Sequence, residues 1–223
     1  MVKIRRVGFQ TIKTIRQIYY TKIHNKITYI HDKILNLIEL RKWFKTDIIH
    51  PPHILKQKIV KIYAKKFIIS TFVETGTYLG EMIDATKKKF KQIYSIELDD
   101  ELFENAKKKF SKYNHISIIQ GDSSEVLPTI LSKIKQPCLF WLDAHYSAGI
   151  TAKGEIETPI KKELNNIFNS SKFNHIILID DARMFIGKND YPTLKELRNF
   201  ISKKRPNYSF IVKNDIIRIH KKI

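Results

Sequence analysis

Four acid-bearing segments, each behind a run of β-branched or aromatic residues, hold the side chains whose types and spacing could do chemistry. The first is Val73-Glu74-Thr75-Gly76-Thr77-Tyr78-Leu79-Gly80. Gly76 allows a tight turn and close backbone approach to a ligand, and Gly80 lets a following helix pack closely. Glycines also serve βα turns for steric reasons alone, so Glu74 is the more telling residue. A carboxylate at that strand end would repel a phosphate, whereas it would welcome a sulfonium and an amino acid ammonium. The second is Glu97 in Ser95-Ile96-Glu97-Leu98, 21 residues after Gly76, a spacing that suits both ribose hydroxyls of an adenosine. The third is Gln120-Gly121-Asp122-Ser123-Ser124. There Asp122 either accepts from an adenine amino group or caps the next helix. Together these segments favour adenosylmethionine over a nicotinamide dinucleotide, with Glu74, Thr75, Gly76, Tyr78, Gly80, Glu97, Asp122, Ser123 and Asp143 as the expected cofactor set.

The fourth constellation joins Asp143-Ala144-His145-Tyr146 to Asp180-Asp181. Three carboxylates at neighbouring strand ends repel one another unless something positive lies between them. Oxygen ligands of this kind suit an octahedral Mg2+ (or Mn2+), so Asp143, Asp180 and Asp181 form the expected metal set. Such a cation would hold a substrate oxygen and lower its pKa. The alternative is that Asp180 or Asp181 caps the following loop. The polar loop 145–158 carries two glycines and suits a lid over substrate. His145 and Lys153 are the candidate general bases, His145 titrating nearer neutral pH, with Asp143 beside them. Tyr146 and Arg183 are the expected substrate contacts, Arg183 for an anionic group.

These residues need a scaffold that brings strand ends together. Strands are expected at 71–74, 92–97, 116–120, 138–142 and 175–179, and helices at 79–90, 99–113, 123–135 and 159–169. Near-continuous β-branched runs alternating with helices predict a parallel sheet covered on both faces. Asp99 and Asp100 suit the start of one helix and Ser123 and Ser124 that of the next. Thr193 with Glu196 makes a capping box for 193–201. Two final runs, Tyr208-Ser-Phe-Ile-Val and Ile216-Ile-Arg-Ile-His, are separated by only three residues. That is too short for a crossover, so they must form an antiparallel hairpin.

Ahead of this region, residues 1–50 read as a basic amphipathic helical extension and 51–223 as the catalytic domain. Ile12, Ile15, Ile18 and Tyr19, then Ile30, Ile34, Leu37 and Ile38, recur at helical spacing. The break is His50-Pro51-Pro52-His53, with a further helix expected over 54–67. The net charge of +19 is uneven: residues 1–71 hold 16 Lys/Arg against 3 Asp/Glu, the remainder 25 against 19. This favours anionic partners, though a Lys- and Ile-rich composition throughout accounts for the excess equally well. The extension could lie on an anionic membrane surface, pack on the catalytic domain or join subunits in a homo-oligomer. Nucleic acid stays open as a partner, although no Asn/Asp-Pro-Pro-Tyr/Phe motif and no aromatic-interleaved basic stripe is present. No run of 18 apolar residues spans a membrane, and the basic start lacks the apolar core of a signal peptide. A cytoplasmic protein is expected. The single Cys138 excludes an internal disulfide and reads as a small buried hydrophobe.

Residues 72–202 resemble class I adenosylmethionine-dependent methyltransferases. Phe72-Val-Glu-Thr-Gly-Thr-Tyr-Leu-Gly is similar to their first motif, Tyr94-Ser-Ile-Glu97 to the ribose-binding motif, and Gly121-Asp-Ser to the adenine-contact position. Phe140-Trp-Leu-Asp-Ala-His-Tyr-Ser-Ala-Gly with Ile177-Leu-Ile-Asp-Asp-Ala-Arg resembles a bacterial group partly encoded among surface-polysaccharide genes. The wider similarity is to macrocin- and catechol-type O-methyltransferases, which hold Mg2+ through strand-end acids; by position those roles fall on Asp143, Asp180 and Asp181. The Asp-Ala-His-Tyr loop differs from both patterns. The resemblance implies an α/β, Rossmann-like fold of seven strands in the order 3-2-1-4-5-7-6 with strand 7 antiparallel. It further implies methyl transfer to an oxygen of a small molecule or sugar.

Overall fold

The computed structural model describes residues 34–46, 50–143, 158–170 and 173–223. The chain divides into two compact units, Met1–Ile48 and Ile49–Ile223. In the first, residues 34–43 are helical (α1), as the spacing of Ile34, Leu37 and Ile38 predicts. The helical periodicity read over residues 12–30 lies outside the described residues.

The second unit opens with α2 (His53–Lys66), whose N-cap is Pro52. Strand and helix then alternate: β1 (Thr71–Thr75), α3 (Glu81–Thr86), β2 (Gln92–Glu97), α4 (Asp100–Phe110), β3 (Ile116–Gln120), α5 (Ser123–Lys133), β4 (Cys138–Leu142), α6 (Ile160–Ser170) and β5 (Ile176–Ile179). A short 3-10 turn at Ala182–Met184, α7 (Leu194–Lys204), β6 (Tyr208–Lys213) and β7 (Ile216–Lys221) complete it. The sheet order is β3-β2-β1-β4-β5-β7-β6. Strands β1 to β5 are parallel, and β7 runs antiparallel to both β5 and β6. This is the expected seven-stranded arrangement. The hairpin turns through Asn214 and Asp215, both left-handed at φ 56° and 57°, the geometry two-residue hairpin turns require.

The central strands β1, β4 and β5 are buried on both faces, and their residues alternate between two cores. Phe72, Leu139 and Trp141 face one side, where they meet Val60, Tyr63, Ile83 and Phe110 of α2, α3 and α4. Val73, Phe140 and Leu142 face the other, against Leu127, Leu164 and Leu197 of α5, α6 and α7. Cys138 is fully buried there, and burial pushes its thiol up to about 12; it is an inert core residue. Asp99 caps α4 by accepting from the Glu101 and Leu102 amides, and Thr193 with Glu196 closes the capping box on α7.

α5 starts at Ser123 as expected, and its cap is Asp122, one of the two roles read for that residue, which accepts from the Ser124 amide at 2.7 Å. α3 is shorter than expected, beginning after a left-handed Gly80 and ending at Thr86. The Thr86 hydroxyl donates back to the Met82 carbonyl at 2.7 Å, a local bond that competes with continuation of the helix.

Candidate active site

Parallel pairing continues one step beyond each strand, so the loops that follow start side by side. Gly76 N–H donates to the Ile96 carbonyl (3.0 Å), Gly121 N–H to Glu97 (2.9 Å), Asp143 N–H to Thr75 (3.1 Å) and Asp180 N–H to Leu142 (3.1 Å). The acids of β1, β2, β4 and β5 therefore share one edge of the sheet. The strand order reverses between β1 and β4, where open α/β sheets place their ligands.

On one side of that reversal stands the glycine turn. Gly76 has φ +83°, accessible to glycine at little cost. Gly80 has φ +70°, and a Cβ there would meet Phe110 Cε2 at 2.6 Å, so the close packing expected of it is a matter of contact with α4. Between them Tyr78 is also left-handed, at φ 49°, and its amide donates to Glu97 Oε2 at 2.7 Å. The other oxygen, Glu97 Oε1, accepts from the Asp99 amide at 3.0 Å. The Glu97 carboxylate is thus fixed by two backbone donors on opposite sides, with lone pairs left for further donors.

Glu74 is almost fully buried at 1% exposure. Ser95 Oγ donates to its Oε2 at 2.7 Å, and Thr77 Oγ1 lies 2.7 Å from that same hydroxyl. Burial pushes the carboxyl up to about 8, Asp143 and Glu97 add to the rise, and the Ser95 bond opposes it. A buried carboxyl held this far up is poised to receive a cationic ligand. These residues fit a nucleoside carrying a positive charge.

A second buried acid escaped the sequence reading. Glu163 of α6 is 1% exposed, and Ser123 Oγ donates to its Oε1 at 2.6 Å. Burial lifts it to about 7; bonds from Ser123 and Thr75 pull it down, and Asp122 and Asp143 push it up. A small cavity between the ends of β4 and β5 is lined by Asp143, Thr158, Glu163, Asp180, Phe185 and Tyr191. The signal was available: Glu163 shares a helix face with buried Ile160, Leu164 and Ile167.

On the other side of the reversal, Asp180 and Asp181 are both buried. The expected divalent cation does not fit these acids as they stand, because their positive partner is Lys56 of α2. Its Nζ bonds Asp180 Oδ2 and lies 3.4 Å from Asp181 Oδ1. Among the described residues no group of three or more His, Cys, Asp and Glu is gathered to hold a metal ion. Burial works against the Lys56 charge, yet Asp180, Asp181 and Asp143 together hold its pKa above the ordinary lysine value. Asp181 is left-handed at φ 52°, and its amide donates to Asp180 Oδ1 at 2.9 Å.

Arg183, expected on an anionic substrate group, makes ion pairs within the protein. Its Nη1 donates to Asp181 Oδ1 at 2.8 Å and to Asp215 Oδ2 in the β6–β7 turn. The Asp215 backbone and side chain accept from the Ala182 and Arg183 amides, each at 2.8 Å. Asp122, besides capping α5, accepts from Ser124 Oγ through the same oxygen, Oδ1. His145, Tyr146 and Lys153 lie outside the described residues.

Solved structures share this architecture at low identity. One is PaMTH1 of Podospora anserina, a methyltransferase bound to SAH, at 17% identity over 84% of this chain and 88% of that one, with a TM-score of 0.53. Another is an O-methyltransferase of Bacillus cereus in complex with SAH, at 13% identity over 75% and 81%, TM-score 0.56. The chain has the class I methyltransferase fold. The O-methyltransferase TomG of Streptomyces achromogenes, in complex with SAM and involved in tomaymycin synthesis, matches at 14% over 82% and 86%, TM-score 0.56. No protein-family model matches the chain. Among the described residues no helix is long and apolar enough to cross a membrane.

Proposed function

We propose that this protein is an adenosylmethionine-dependent methyltransferase acting on an oxygen of a small-molecule or sugar acceptor. The observation that carries this reading is the buried Glu74 beside the Gly76 turn, with Glu97 fixed at the next strand end. One acid meets the donor's cationic amino acid end and the other its ribose hydroxyls. Asp122 Oδ2 takes the adenine amino group while Oδ1 keeps the helix cap. When bound, the donor supplies an electrophilic methyl group on a sulfonium.

Reaction is an in-line displacement in which the acceptor oxygen forms its bond to the methyl carbon as the carbon–sulfur bond breaks. The sulfur leaves as a neutral thioether, and the acceptor proton passes to Asp143 or His145. The chain's own contribution is alignment of the two reactants at the strand-order reversal. Asp143 stands at the end of β4, beside Glu74 at the end of β1, so donor and acceptor sites adjoin. A metal-assisted form of the reaction would need Lys56 displaced from Asp180 and Asp181, and no step proposed here runs through a metal.

Calorimetric titration with adenosylmethionine, SAH and NAD tests the donor half. Adenosylmethionine and SAH are expected to bind and NAD is not; NAD binding without adenosylmethionine binding would refute the reading. A methyl-transfer screen over sugars, nucleotides and small phenols then tests the acceptor half, and transfer to nucleotides alone would overturn that part.

A further inference from the structure

Lys56 occupies a position that charge alone makes decisive. Asp143, Asp180 and Asp181 crowd the ends of β4 and β5, and removing one partner from a buried ion pair leaves a charge with no compensation. The lysine comes from far away in sequence but is held firmly in space. It sits one turn before Ile59 and Val60, on the helix face whose residues Ile59, Val60, Tyr63 and Ala64 are buried in the core. Its side chain is 16% exposed and that of Asp180 is 2% exposed. An ammonium there answers the carboxylates as a cation would, with one charge instead of two. It has three N–H donors, and Asp180 and Asp181 take two of them.

We propose that Lys56 stands in for a divalent cation in this site: its ammonium pairs with Asp180 and Asp181, turns its third N–H to the acceptor oxygen, and excludes metal. This assignment rests on the methyltransferase reading only for the identity of the acceptor oxygen. The exclusion of metal follows from the placement of the side chains. An anchored ammonium fixes the acceptor oxygen by one directed hydrogen bond, whereas an octahedral ion would demand several oxygen ligands at about 2.0–2.1 Å. Arg183 also pairs with Asp181, so Asp181 Oδ1, an oxygen that a metal would need, already faces two side-chain cations.

The test uses Mn2+ alone as probe, read by electron paramagnetic resonance on the full-length protein, with SAH titration by calorimetry alongside. Wild type is expected to bind no stoichiometric Mn2+. Lys56→Ala and Lys56→Met are expected to gain Mn2+ affinity by about tenfold or more, the scale on which neighbouring groups tune metal sites. Asp180→Asn in the Lys56→Ala background should abolish that gain. Stoichiometric Mn2+ binding by wild type that is lost in Asp180→Asn overturns the proposal, and so does a folded Lys56 variant with no gain. The wild-type measurement decides even if both Lys56 variants fail to fold. Failure of the methyltransferase reading shows separately, as absence of SAH binding by wild type.

Discussion

Replacing Glu74 by glutamine should make the fold more stable and the donor site worse, and the size of both effects follows from where the carboxyl sits. Burial, with Asp143 and Glu97 nearby, lifts Glu74 from its ordinary 4.5 to about 8. A carboxyl raised on folding binds its proton more tightly in the fold than in the unfolded chain. Its contribution is therefore fully present below pH 4.5 and is lost as pH rises toward 8. At about 1.4 kcal/mol per pH unit, the cost of holding Glu74 buried and ionised reaches at most about 5 kcal/mol above pH 8. Relaxation and water access reduce this, so Glu74→Gln should stabilise the protein by about 1–3 kcal/mol at pH 8.5 and by less at pH 6.5. Urea denaturation at the two pH values reads the difference directly. Donor binding moves the opposite way. A cationic ligand draws Glu74 into its ionised form, so wild-type affinity for adenosylmethionine should rise with pH up to about 8, by at most about tenfold per unit. In Glu74→Gln that slope should flatten and the affinity fall. A variant that is less stable than wild type at pH 8.5, yet binds the donor with an unchanged pH slope, would refute the reasoning.

Other expectations concern the scaffold around the site. Gly80→Ala forces a Cβ against Phe110 at a backbone angle of φ +70°, so a loss of about 1–3 kcal/mol is expected in thermal or urea unfolding. His175 is buried and accepts from the Cys138 amide at 3.0 Å; burial, with Arg205 adding, lowers it from 6.5 to about 4. Its stabilising contribution is full above pH 6.5 and lost as pH falls toward 4. His175→Gln should therefore remove up to about 3 kcal/mol of the acid-side decline in stability measured across that window. Arg183→Ala leaves Asp181 and Asp215 without their shared partner and should cost about 2 kcal/mol. Because Arg183 touches neither Glu74 nor Glu97, SAH affinity in calorimetry should change by less than about twofold.

The strands and most helices were legible because their signals are local. A run such as Cys138-Leu-Phe-Trp-Leu buries both faces wherever it occurs in a parallel sheet, and a three-residue gap between Val212 and Ile216 forces a hairpin. Glu74, Glu97, Asp143 and Asp180 were legible for a related reason: an acid directly after such a run must stand at the sheet edge. Lys56 was not, because its partners are 124 and 125 residues away and the chain holds 41 Lys and Arg, among which one lysine carries no signal by type. Only its phase betrays it, since it lies on the buried face of α2 as Glu163 lies on that of α6. The ties of Arg183 within the protein were hidden in the same way. Its partner Asp215 is brought near by the antiparallel return of β7, and nothing in the intervening sequence marks that approach.

The Asp215 turn carries a further implication for how the protein is made. It belongs to a hairpin translated after all five parallel strands, yet it supplies the acceptors that pin Ala182 and Arg183 beside Asp181. A chain that has emerged only as far as β5 has the Glu74 and Glu97 loops in full but lacks the clasp beside Asp180 and Asp181. That acid pair takes its final surroundings only once the hairpin closes.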